Sequence, residues 1–179
     1  MPKYVAFLRA INVGGHTVKM QHLRSLFETL GFSNVETFIA SGNVIFDSTS
    51  KSTGALEKKI QGCLLDALGY EVLTFIRSMA ELAAIAGYKP FPDSKLSAAG
   101  HALYIGFMSA SPGSAAKQNL KMLATKVDDF QLKGREVYWL CRTRFSDSEI
   151  SGVLLAKTLG MPATLRNATT IRKIAARYC

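Results

Sequence analysis

Arg9, Asn12, Gly14 and Gly15 stand in FLRAINVGGHTVKM, where an apolar strand hands over to a helical pattern that starts at Met20. Further on, Ser41, Gly42 and Asn43 separate two short apolar runs, VETFIA and VIFD. Guanidinium and amide groups hold phosphate or carboxylate through directed hydrogen bonds, and glycines let a ligand approach the backbone. A helix start adds unpaired N–H groups and about half a positive charge. These residue types suit the holding of an anion. Lys19 and His16 strengthen that reading, because a cation at a helix start opposes the macrodipole by roughly 0.3 to 1 kcal/mol unless an anion lies between them.

Each feature also has a purely structural explanation. Gly14 and Gly15 can simply turn the chain, Gly42-Asn43 is what a tight hairpin selects, and Arg9 can pair with Asp47 across a sheet. Arg9 shares a strand face with Val5 and Phe7, so it needs a partner there. Other chemistries find less support. The glycines form neither a P-loop nor a G-x-G-x-x-G fingerprint, no G-x-S-x-G elbow occurs, and VIFDS does not match the aromatic RNA-binding pattern. Cys63, Cys141 and Cys179 are scattered, and His16, His22 and His101 lack ligand spacing, so a metal-free protein without a cofactor is expected.

The elements that must position these residues follow from periodicity. Tyr4 to Ile11 reads as a strand; Met20, Leu23, Phe27 and Leu30 mark one helix face closed by Gly31. VETFIA and VIFD form a hairpin, Leu56, Ile60, Leu64 and Leu68 a second helix stopped by Gly69, and EVLTFIR a fourth strand. Ser78 and Glu81 form a capping box for a further helix. The proline- and serine-rich YKPFPDSKLSAAG then interrupts the pattern, after which the same order returns. ALYIGFMS is a strand, Ser111-Pro112 opens a helix, FQLKGREVYWL is a hairpin turning at Lys133-Gly134, Ser146 and Glu149 box a helix running to Gly160, and PATLR precedes a terminal helix.

LGYEVLTFIRSMAELAAI and LGMPATLRNATTIRKIA echo each other, which an internal duplication explains. The expected fold is therefore α+β: tandem ferredoxin-like βαββαβ units with extra helices and antiparallel sheets, residues 1–88 and 102–179 joined by a linker at 89–101. In each unit the first two strands run parallel, so the loop after the first strand and the hairpin after the second emerge at one edge. Both faces of the first strands look apolar, so something must cover the second face: the other half, extra helices, or a second copy.

The 179 residues carry a formal net charge of +9, and 48% of them are apolar. Residues 1–89 hold nine Lys or Arg against seven Asp or Glu, and residues 90–179 hold thirteen against six. Such a balance favours anionic partners, small molecules or nucleic acid, although a solvated basic surface accounts for it equally well. No stretch approaches the ~20 apolar residues that span a bilayer, and Arg9 breaks any signal-peptide core, so no membrane partner and a cytoplasmic location are expected.

LRAINVGGHTVKM, GFSNVETFIASGNVIF and ATLRNATT, in this order, resemble the bacterial family known only as domain of unknown function 1697. The resemblance implies an α+β, ferredoxin-like protein and no established activity. By position it carries over Arg9, Asn12, Gly14, Gly15, Ser41, Gly42, Asn43, Arg166 and Asn167. The chain departs from the family pattern after Asn167, where an aromatic residue is common and Ala168 stands instead; a stacking contact is not expected there.

Three functions follow as expectations. The leading one is binding of a phosphate-bearing or other anionic ligand at the edge built from Arg9, Asn12, Gly14, Gly15, Lys19 and Ser41 to Asn43. The second is an enzyme on a small anionic metabolite, with Arg9 or Arg166 holding a carboxylate and Asn12 or Asn43 polarising a carbonyl. The third is a non-catalytic assembly module, monomer or homodimer, pairing through an apolar sheet face.

Overall fold

The computed structural model describes residues 1–12, 14–39 and 42–179, the side chain of Ser146 excepted. The chain divides into two compact units, Met1–Ala83 with Tyr178–Cys179, and Ala84–Arg177. It is a mixed α+β protein with two four-stranded antiparallel sheets.

The first unit runs β1 (Lys3–Leu8), α1 (Met20–Thr29), β2 (Ser33–Thr37), β3 (Asn43–Asp47), α2 (Thr53–Leu68), β4 (Thr74–Ser78) and the start of α3 (Met79–Gly87), with strand order β2-β3-β1-β4. Strand alternation sends Tyr4, Ala6, Leu8, Val44, Phe46 and Ile76 to one face of this sheet. Leu23 and Phe27 of α1 and Leu56, Ile60 and Leu64 of α2 pack there into one core. The other face is buried too, with Val5, Phe7, Ile45 and Phe75 at 3% exposure or less.

The edge strand β4 shows how this unit protects itself from stray pairing. Its outward N–H groups would be open donors, yet Thr74 N–H donates to Gln61 (2.9 Å), Ile76 N–H to Glu57 (2.9 Å) and Ser78 N–H to Glu81 (2.8 Å). Glu57 and Gln61 lie one helical turn apart on α2, matching the two-residue repeat of the strand they satisfy. Glu81 N–H in turn donates to the Ser78 hydroxyl oxygen (3.2 Å), so the expected capping box is present.

At the other end of the sheet, Asp47 lies opposite Lys3. Burial would raise its pKa, but the Asn34 amide at 2.8 Å and the Lys3 ammonium at 3.0 Å outweigh that and hold the carboxyl below its ordinary value. A carboxyl with a depressed folded-state pKa stabilises the fold above its unfolded value and loses that contribution as pH falls through the folded one. Asp47→Asn should therefore cost about 1 kcal/mol at neutral pH and nothing once both states are protonated. Urea titrations of both proteins at pH 7 and near pH 2 measure this; a gap that persists in acid would contradict it.

After the rest of α3 and the short α4 (Asp93–Leu96), the second unit runs β5 (Ala102–Phe107), α5 (Ser114–Leu123), β6 (Asp128–Lys133), β7 (Glu136–Cys141), α6 (Gly152–Leu159), β8 (Thr164–Asn167) and α7 (Ala168–Tyr178). Its strand order, β6-β7-β5-β8, repeats that of the first unit. The registers match as well. Val5 faces Ile45 and Arg77 as Ile105 faces Tyr138 and Arg166, so Tyr4, Phe7 and Arg77 correspond to Tyr104, Phe107 and Arg166.

Several expected boundaries move. β1 ends at Leu8, because Leu8 N–H donates to Gly42 O (2.8 Å), Arg9 N–H to Leu73 O (2.9 Å), and Ala10 turns the chain at φ 57°. Arg9 is thus half-buried beyond the strand rather than on its buried face, and Asp47 belongs to Lys3. α5 starts at Ser114 with Gly113 at its cap, not at Ser111-Pro112. Ser146 and Glu149 open no α-helix: Phe145–Asp147 form only a short 3-10 turn, the Ser148 hydroxyl donates to both oxygens of Asp128 (3.0 Å each), the Ser148 backbone is extended, and α6 begins after the Ser151 cap.

Candidate functional site

The two polar turns of the first unit meet. Besides the Leu8–Gly42 hydrogen bond, a Cβ on Gly42 would lie 2.9 Å from Ile11 Cγ2 and 3.1 Å from Leu8 Cβ, and φ is 82°. Only glycine fits that approach. Ser41 lies outside the described residues.

Most of the amide groups expected to meet a ligand hold the turns together instead. Asn12 Oδ1 accepts Val18 N–H at 2.8 Å and closes the glycine loop. Asn43, fully buried at the start of β3, donates from Nδ2 to Phe38 O while its own carbonyl accepts Phe38 N–H, both at 2.9 Å. Tyr70 anchors the loop from the side: its hydroxyl donates to Ile11 O (2.9 Å), and its ring stacks on His16 with centroids 3.8 Å apart. Gly14 and Gly15 supply the positive φ of the turn, 66° and 83°, with open space above them.

Two cations, Lys19 and Arg9, remain beside this edge. Lys19 sits at the N-cap of α1, makes no capping bond from its side chain, and is followed by a first turn without acidic residues. Arg9, with Ala10, Glu71 and Leu73, borders a hollow of about 150 Å³. Neither Arg9, Lys19 nor His16 forms an ion pair among the described residues. The arrangement offers positive charge on a glycine loop, and among the described residues it aligns no nucleophile with a base.

Arg166 and Asn167 lie in the second unit. Arg166 is 8% exposed, donates to Thr164 Oγ1 (2.9 Å) and Leu165 O (3.0 Å), and is brought down to a pKa of about 10 by burial. It serves its own strand, as its counterpart Arg77 does by donating to Ile76 O (2.9 Å). Asn167 accepts Thr169 N–H through Oδ1 (2.8 Å) and so caps the start of α7. It also lines a cavity of about 770 Å³ whose opposite wall comes from residues 86–103. Reading 89–101 as a joint alone overlooked that wall; the i, i+4 pair Lys89 and Asp93 was the available sign of order there.

Among the described residues no group of three His, Cys, Asp or Glu could hold a metal ion, and no helix is long and apolar enough to cross a membrane.

A two-sheet α+β scaffold with a glycine-loop edge is the class of protein that these features define. The chain belongs to the family described as protein of unknown function (DUF1697), whose model matches residues 1–138. Its fold is similar to that of the conserved bacterial protein SP0830 from Streptococcus pneumoniae, with a TM-score of 0.73, 23% sequence identity, and 99% of this chain and 98% of that one covered. No curated protein matches the chain.

Proposed function

We propose that the first unit binds a phosphate-bearing or other anionic ligand, a nucleotide or nucleic acid segment, at the edge where the β1–α1 loop meets the β2–β3 hairpin. The observation that carries this reading is the pair of cations, Arg9 and Lys19, with the His16 imidazole on the same loop and no carboxylate paired to any of the three among the described residues. Arg9 and Lys19 supply charge, Gly14 and Gly15 leave the backbone open, and Asn12, Gly42 and Asn43 keep the two turns together. Ser41 joins the proposal by position alone. Arg166 and Asn167 are left out of this edge, since their polar atoms serve β8 and α7. The ferredoxin-like description of each unit and its origin by duplication accompany the proposal, supported by the repeated strand order and the matching of Tyr4, Phe7 and Arg77 with Tyr104, Phe107 and Arg166.

Titration with nucleotides and short oligonucleotides tests it. The Arg9→Ala and Lys19→Ala variants should each weaken binding by about fivefold to tenfold at low salt, the worth of a charge-assisted contact, with unfolding unchanged. Oligonucleotide affinity should also fall as salt rises. Equal affinity in the wild type and the double variant would end this reading.

A further inference from the structure

We infer that the cavity of about 770 Å³ in the second unit is a separate binding site for a small phosphorylated polyol, a molecule the size of a sugar phosphate. Its volume falls in the range of small-molecule sites, about 300 to 1,000 Å³, and its polar groups sort into two kinds. On one side, α7 brings Thr169 and Arg172, three residues apart, onto one helix face. Arg172 is exposed and forms no ion pair among the described residues, so a guanidinium fork and a hydroxyl wait side by side for a tetrahedral anion.

The other wall carries acceptors. Asp93 is the sole carboxylate lining the cavity, and it neutralises Lys89 at 3.1 Å, which leaves Arg172 as the uncompensated charge. His101 Nδ1 lies 2.7 Å from Lys95 O. A carbonyl only accepts, so Nδ1 carries the proton, and in the neutral ring Nε2 is left as a bare acceptor. The Asp93 carboxylate and this nitrogen suit hydroxyl donors, as a polyol presents, while Arg172 and Thr169 suit its phosphate.

A nucleobase fits poorly. Tyr88 is the one aromatic ring apart from His101 on the lining, and it is already engaged: Lys133 Nζ sits 3.8 Å from its centroid, Tyr138 meets it edge-on at 5.0 Å, and its hydroxyl accepts from Gln131 (2.9 Å). With Lys133 over one face and Tyr138 packed against the ring, Tyr88 is a poor platform for stacking of the kind nucleotide sites use.

The site does not depend on the edge of the first unit, and the two can be separated experimentally. Calorimetric titration of the full chain with glucose-6-phosphate, glucose and inorganic phosphate, paired with amide chemical-shift mapping, is the test. Glucose-6-phosphate should shift the amides of Lys89, Asn167 and Thr169, and should do so at lower concentration than either fragment. Read from the shifts of Lys89, Asn167 and Thr169, Arg172→Ala should weaken binding at this cavity by about tenfold or more and Arg172→Lys by less, whereas Arg9→Ala should leave those three shifts as they are. Arg172 is exposed, so its removal should not disturb folding, and a thermal melt checks this. The inference is overturned if glucose-6-phosphate at millimolar concentration does not shift Lys89, Asn167 and Thr169, if either fragment shifts them at the same concentration, if Arg172→Ala leaves those shifts unchanged, or if the shifts fall at Gly14 and Gly15 alone.

Discussion

Asp128→Ala should destabilise the protein by about 3 to 5 kcal/mol, the largest loss expected from any single side chain discussed above. The carboxylate is fully buried and gathers three donors: Trp139 Nε1 at 2.8 Å, Thr125 Oγ1 at 2.9 Å and the Ser148 hydroxyl at 3.0 Å. Thr125 and Ser148 can turn toward water once it is gone, since neither is buried. Trp139 is fully buried on β7 and has no such escape, so its N–H is left without an acceptor, a cost of about 1 to 3 kcal/mol by itself. The extended segment at Ser148 also loses its tether, and with it the placement of α6. Asp128→Asn should cost only about 1 kcal/mol, because one oxygen still accepts from the indole and the two hydroxyls can reverse their role. Trp139 is the single tryptophan in the chain, so its fluorescence reports the site directly. Denaturant unfolding of the alanine variant within about 1 kcal/mol of wild type, with unshifted emission, would refute the assignment.

Gly106→Val should cost about 3 kcal/mol, and Gly106→Ala about half as much. Gly106 lies in the middle of β5 with Val137 on one side and Leu165 on the other. A Cβ there would stand 2.5 Å from Val137 Cγ1, 3.2 Å from Leu165 Cδ2 and 3.7 Å from Ala163 Cβ. Val137 is fully buried and β-branched, so it cannot swing aside as a long flexible side chain would. The first unit carries Ala6 against Val44 at the matching position, which shows that the topology tolerates one methyl group there when its neighbours are placed for it. Shortening the neighbour should therefore rescue the change: Gly106→Ala with Val137→Ala should lose less than the sum of the single losses. Additive losses, or a valine variant that unfolds at the wild-type denaturant midpoint, would show that the contact is not limiting.

Much of the scaffold was legible in the residue pattern. The every-fourth-residue spacing of Leu56, Ile60 and Leu64 ended by Gly69, the Ser78–Glu81 capping box, and the hairpin at Lys133-Gly134 all stand where local rules place them. So does the meeting of the glycine loop with the β2–β3 hairpin, since strand order and direction leave the two turns no other edge. The errors cluster where a distant partner overrides a local signal. Ser148 bound to Asp128 stops a helix that Ser146 and Glu149 would otherwise begin, and Leu73 takes the Arg9 N–H and ends β1 early.

The amino-acid order by itself determined the elements and their sequence along the chain, because helix and strand periods and the positive φ of turn glycines are properties of short segments. Only the tertiary structure decided which polar groups are spent and which are open. Asn12, Asn43 and Arg166 have the chemistry of ligand contacts, yet Val18, Phe38 and Thr164 engage them. Arg172 drew no notice in the residue pattern and His101 was weighed only as a metal ligand, yet both line a cavity. A hydrogen bond is complete only when both partners arrive, and the second partner is set by packing rather than by the neighbours in sequence.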